Sequence, residues 1–215
     1  MLCPLKAASA LAVAVFVVCG LTVAPQNTAA QAAPIGVPAV SAGAAATTAF
    51  LPTVMPRKSV SQVRITGCTK SQKKKLVSYL KKWGRNSNIN SITCKSHTAT
   101  LGSTVMYFYP SGTATIVLRK SMHGKLFKQV AVHEIMHAVE AWDYGPEGAL
   151  EWSTVRAELG HRFGYGSGPW GVLENAADCM TQRATGSRSY LHYMRHGCSA
   201  SQRSAAAVLI GGHQL

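Results

Sequence analysis

Leu126-Phe127-Lys128-Gln129-Val130-Ala131-Val132-His133-Glu134-Ile135-Met136-His137-Ala138-Val139-Glu140 sets two histidines and two glutamates into a largely apolar run. Leu126, Phe127, Val130, Ala131, Ile135, Val139 and Trp142 recur at helical spacing, which predicts a helix over about residues 125–142. Positions i and i+4 share a helix face, so His133 and His137 can offer two imidazole nitrogens to one metal ion. Glu134, next to the first of them, can serve as general base toward a water at that metal. A buried helix with these polar groups needs partners for them, and a metal provides one. The residues point to a zinc hydrolase.

A catalytic zinc takes a third protein ligand and keeps one position open. Asp143 lies six residues after His137, where the HExxHxxGxxH/D pattern of metzincin-like proteases places its ligand. That pattern needs a glycine three residues after the second histidine, and this chain has Glu140 there, without glycine's backbone freedom. Glu174, in Glu174-Asn175-Ala176-Ala177-Asp178, is the better candidate. It shares a second predicted helix with Asp178 one turn on, which can accept the spare N–H of a ligating imidazole.

HEIMH followed downstream by ENAAD resembles the gluzincin group of zinc metallopeptidases, which pair HExxH with ExxxD. The Ala177-Asp178-Cys179 ending also resembles some small bacterial neutral zinc peptidases. The resemblance covers about residues 100–180 and implies zinc on His133, His137 and Glu174, with Glu134 as base and Asp178 behind a histidine. It also implies a peptide or protein substrate. No oxyanion-stabilising residue stands out among His161, Tyr165, Tyr190 and His192.

Residues 1–32 read as a secretory signal: Lys6, then an apolar stretch from Leu11 to Val18 too short to span a bilayer, then Ala30-Gln31-Ala32 as the cleavage site. Val18 before Cys19 argues against a lipid anchor at that cysteine. Residues 33–60 are rich in Ala and Pro and read as a linker or propeptide-like arm, leaving residues 61–215 for one domain. No later stretch is apolar and long enough for a membrane span, so the expected destination is extracellular or cell-wall associated. Cys68, Cys94, Cys179 and Cys198 remain after cleavage, and proximity favours the disulfides Cys68–Cys94 and Cys179–Cys198.

The chain has 22 Lys and Arg against 8 Asp and Glu, a formal net charge of +14. All the acidic residues lie between Glu134 and Asp178, an acidic island in a cationic chain. Lys73, Lys74, Lys75, Lys81 and Lys82 concentrate on one predicted helix. Non-specific adsorption to anionic cell-wall polymers is the expected use of that charge. Without a motif of interleaved aromatics, specific nucleic-acid binding is not expected.

The expected layout is an α+β, zincin-like domain with a small antiparallel sheet, the HExxH helix and a helical C-terminal part. Thr69 or Ser71 caps a helix running to Trp83, residues 89–94 form a strand, and residues 105–109 and 113–118 form a hairpin through Pro110-Ser111-Gly112. Residues 113–118 are the candidate edge strand for an extended substrate. The glycine-rich connector from Gly164 to Pro169 is placed to flank the cleft. The secreted zinc metallopeptidase is the leading reading, and the alternative is a non-catalytic, cationic envelope-binding protein on the same scaffold.

Overall fold

The computed structural model describes residues 59–84, 88–107, 113–150, 152–189 and 193–215, together with Phe16–Val18. The rest of the expected signal, the arm apart from residues 59 and 60, the turn 110–112, Tyr190 and His192 lie outside the described residues. The architecture is α+β. In chain order the elements are β1 (Phe16–Val18), β2 (Arg64–Thr66), α1 (Lys70–Trp83), β3 (Ile89–Lys95), β4 (Gly102–Tyr107), β5 (Thr113–Arg119), α2 (Gly124–Leu150), α3 (Trp152–Phe163), α4 (Gly171–Thr185) and α5 (Ala200–Ile210).

Thr69 caps α1: its hydroxyl accepts from the Gln72 amide, and the Gln72 side chain accepts from the Thr69 amide. This capping box satisfies two donors that a helix start leaves open. Leu76, Leu80 and Trp83 form the buried stripe of α1, while Val77 is only half-buried.

The sheet is mixed, in the order β1-β4-β5-β3-β2, and this corrects the expected antiparallel sheet. β4 and β5 pair antiparallel, whereas β2–β3 and β3–β5 are parallel. Helix α1 is the cause at one edge, because a helical crossover returns the chain to begin β3 at the same end as β2. The expected edge strand is also corrected. Residues 113–118 belong to β5, which is flanked by β3 and β4, and the strand toward that side of the sheet is β4. Among the described residues, β4's outer edge is lined by β1, antiparallel, with Val17 opposite Val105; β1 falls within the stretch expected to be cleaved on export.

Helix α2 is the centre of the molecule. Val130, Ala131, Ile135 and Ala138 pack with Ile92, Ile116 and Leu118 of the sheet and Leu76 and Leu80 of α1. Val132, Met136 and Ala141 pack on the other side with Val172, Leu173, Ala176 and Met180 of α4 and Leu209 of α5. A helix enclosed on both sides has no wet face for polar side chains. It continues past Glu140 to a kink at Gly145, whose φ of 27° and ψ of −133° break the helical path. Both expected disulfides, Cys68–Cys94 and Cys179–Cys198, are formed. No helix among the described residues is long and apolar enough to cross a membrane.

Cys68–Cys94 ties the segment after β2 to the end of β3, with a sequence separation of 26. Loop closure of that size stabilises by about 3 kcal/mol. Replacing both cysteines with alanine is expected to lower the unfolding free energy by about that amount in a denaturant titration, and an unchanged midpoint would contradict it.

Candidate metal centre

His133 and His137 project from one face of α2, their rings 4.8 Å apart between centroids and nearly perpendicular. Opposite them, Glu174 emerges from the first turn of α4, where the helix dipole favours a carboxylate. Glu174 Oε2 lies 3.1 Å from His133 Nε2 and 3.5 Å from His137 Nε2. All three side chains are buried, and their ligand atoms lie within 4.8 Å of one another.

The far nitrogen of each imidazole faces a carboxylate. Asp178 Oδ1 stands 3.0 Å from His133 Nδ1, and Glu140 Oε2 accepts from His137 Nδ1 at 2.7 Å. These contacts fix both rings with Nε2 turned inward and make those nitrogens better donors to a cation. Asp178 does more: its Oδ2 accepts from the backbone amides of Tyr193 and Met194, fastening the chain before Cys198 to α4.

Glu134 is fully buried beside this group. The Thr104 hydroxyl donates to its Oε2 at 2.6 Å, while Oε1 has no protein partner. Strand β4 approaches very closely here, since a methyl group on Gly102 would sit 2.5 Å from Glu134 Oε1 and 2.7 Å from Val130. That contact accounts for a glycine inside a strand.

The charges are coupled. Burial alone would push His137 down, but the charges of Glu140 and Glu174 and their hydrogen bonds outweigh it and raise it from 6.5 to about 10. His133 is likewise held well above 6.5, burial being overcome by the hydrogen bonds that the Asp178 and Glu174 carboxylates accept from it and by their charges. Burial would raise Glu174, yet the two histidines bring it down to about 2. Glu134 and Glu140 are raised, chiefly by burial. A pocket that pulls protons onto two imidazoles at neutral pH favours positive charge between them. The convergent imidazole and carboxylate donors fit a metal cation.

Asp143 takes no part in this group. The helix does not turn at Glu140, so Asp143 sits further along α2 beside Trp142, lining a small cavity with Trp83 and Asn88. Its carboxylate oxygens have no hydrogen-bond partner, and burial with the nearby charge of Glu140 raises it to about 8. Tyr165 is exposed and packs against His161, with its ring over Gly160. The connector from Gly164 is tied to α4 through Asn175 Nδ2, which donates to the carbonyls of Phe163 and Gly164.

Glu140 and Thr104 are the contributors that the sequence reading missed. Glu140 stands at i+3 from His137, a spacing that brings side chains together on one face and could have identified it. Thr104 is separated from Glu134 by 30 residues, and no local pattern announces the contact. No protein-family model matches the chain, nor does any curated protein or solved structure.

Two outcomes are expected. Glu140→Gln should weaken metal binding about 10- to 100-fold in a chelator competition, and unchanged affinity would remove Glu140 from the site. In metal-free protein, the stability contributed by His137 is complete below pH 6.5 and is lost as pH rises toward 10. The raised carboxyls of Glu134 and Glu140 act in the same direction, whereas the Glu174 contribution is lost only as pH falls from 4.5 through 2. Thermal melts of chelated protein should therefore show Tm falling between pH 6.5 and 10; a rising Tm would contradict this.

Proposed function

We propose that the protein is an exported zinc-dependent metallopeptidase of the gluzincin type on a zincin-like fold. The observation that carries this reading is Glu134: a buried carboxylate beside two inward-turned imidazoles, gripped at one oxygen by Thr104 and without a hydrogen-bond partner at the other. A purely structural metal site has no use for such a group. His133, His137 and Glu174 would hold the metal, and zinc bound there supplies Lewis acidity toward a peptide carbonyl and a more acidic water.

The protein's own residues then do the following. Glu134 takes the proton of the attacking water on Oε1 and passes it to the leaving amine nitrogen. Burial raises its pKa, which makes the protonated form a competent donor in the second step. Thr104 keeps the carboxylate from rotating away between the two transfers. Glu140 and Asp178 hold the imidazoles in place.

The outer edge of β4 offers unpaired backbone groups next to this site once the leader is gone. An extended peptide can add there as an antiparallel strand, as β1 does in the full-length chain. The two disulfides and the absence of a membrane-spanning helix among the described residues accord with an extracellular protein. The non-catalytic envelope-binding alternative leaves the arrangement of Thr104 and Glu134 without a purpose.

Glu134→Gln should abolish chelator-sensitive cleavage of a peptide library while retaining metal; wild-type cleavage by that variant would overturn the mechanism. Glu174→Ala should lose the metal and Asp143→Ala should keep it, both read by metal analysis, and the reverse pattern would reassign the third ligand.

A further inference from the structure

We propose that the sheet end formed by the close of β3, the start of β4 and the turn after β5 is a docking face for a linear phosphodiester polyanion lacking bases and acyl chains, of the poly(glycerol phosphate) kind. The face begins with an asymmetry of charge. Of the acidic residues whose side chains are described, Glu134, Glu140, Glu174 and Asp178 are buried and Asp143 and Glu158 are half-buried. The exposed charge among the described side chains of this face is cationic.

Three separate segments bring those lysines to one place. The Gln72 side chain donates to the carbonyls of Lys120 and Met122, pinning the first turns of α1 to the turn after β5. The Lys120 amide donates to the Lys95 carbonyl, pinning that same turn to the end of β3. Lys73, Lys95 and Lys120 are all exposed. Beside them is an open concavity of about 590 Å³ lined by Ser96, His97, Thr98, Ala99, Arg119 and Ser121. Arg119 is held there by Thr98, whose hydroxyl and carbonyl accept from Nε and Nη2. A fixed guanidinium among hydroxyl groups suits a tetrahedral oxyanion with several acceptor oxygens.

The dimensions favour a chain over a single anion. Exposed lysines continue along α1 to Lys81 and Lys82, and 14 helical residues extend about 20 Å. The chemistry of the face also discriminates among polyanions. The large hydrophobic residues exposed among those described are Tyr165 and Val208, both in the C-terminal helical part. Among its described residues the face has no Trp, Tyr or Phe platform for stacking bases, His97 being the ring in its concavity, and no apolar wedge for entering lipid. Binding by charge alone follows the counterion-release law and is strongly weakened by salt.

The test uses the full mature chain carrying Glu134→Gln, so that cleavage plays no part and failure of the peptidase reading leaves the result intact. Binding to poly(glycerol phosphate) is titrated over a series of salt concentrations. Lys73→Gln/Lys95→Gln/Lys120→Gln should reduce the slope of log K against log salt by about 2 to 3. Arg119→Gln should weaken binding about tenfold at fixed salt. Circular dichroism and metal content show that both variants remain folded. Unchanged affinity and slope in both variants would overturn the assignment. Tighter binding to a single-stranded oligonucleotide of equal charge, or to anionic lipid vesicles, would overturn the choice of partner.

Discussion

The structure turns on a cluster of charge enclosed in its interior: two imidazoles and the carboxylates of Glu134, Glu140, Glu174 and Asp178, all shut away from water between α2, α4 and β4. Burying a carboxylate without compensation costs several kcal/mol, and here the carboxyls of Glu134 and Glu140 and both imidazoles are all driven to hold protons more tightly. The protons drawn onto His133 and His137 offset part of that cost, and a cation held by His133, His137 and Glu174 could offset it in their place. The same cluster thus sets the ligand geometry and the demand for a cation.

The surrounding fold fixes where each member of the cluster stands. Helix α2 is clamped between two apolar cores, one shared with the sheet and α1, the other with α4 and α5. Because interiors are close-packed, sliding α2 to relieve the charge would disturb both cores at once. Helix α4 contributes Glu174 from its first turn and Asp178 one turn later, so one rigid element supplies a candidate ligand and the carboxylate that braces His133. Cys179 follows directly, and its disulfide to Cys198 holds the segment whose amides Asp178 grips. The glycine at position 102 then lets β4 come close enough for Thr104 to hold the Glu134 carboxylate.

Much of this was legible in local sequence, because it is encoded at short range. The i, i+4 spacing of His133 and His137, the same spacing of Glu174 and Asp178, the Thr69 cap and the neighbouring cysteine pairs all state their geometry within a few turns or one loop. The sheet was harder. Arg64–Thr66 is three residues long and largely exposed, so it has no hydrophobic period to reveal it, and its parallel pairing with β3 depends on a crossover. The hairpin identified β4 and β5 as partners but not which of them is central, since that depends on β3 returning beside β5. Glu140 was weighed only as a missing glycine, although its distance from His137 along the helix marks it as a neighbour. Charge distribution was visible as a run of lysines, but the convergence of Lys73, Lys95 and Lys120 required the fold.

Zinc K-edge X-ray absorption on the metal-loaded mature protein tests the central claim most directly. The account predicts one zinc per chain with two imidazole nitrogens at about 2.0–2.1 Å, the other neighbours being oxygens, and loss of the signal in Glu174→Ala. Sulfur in the coordination shell, or an unchanged spectrum in that variant, would contradict it.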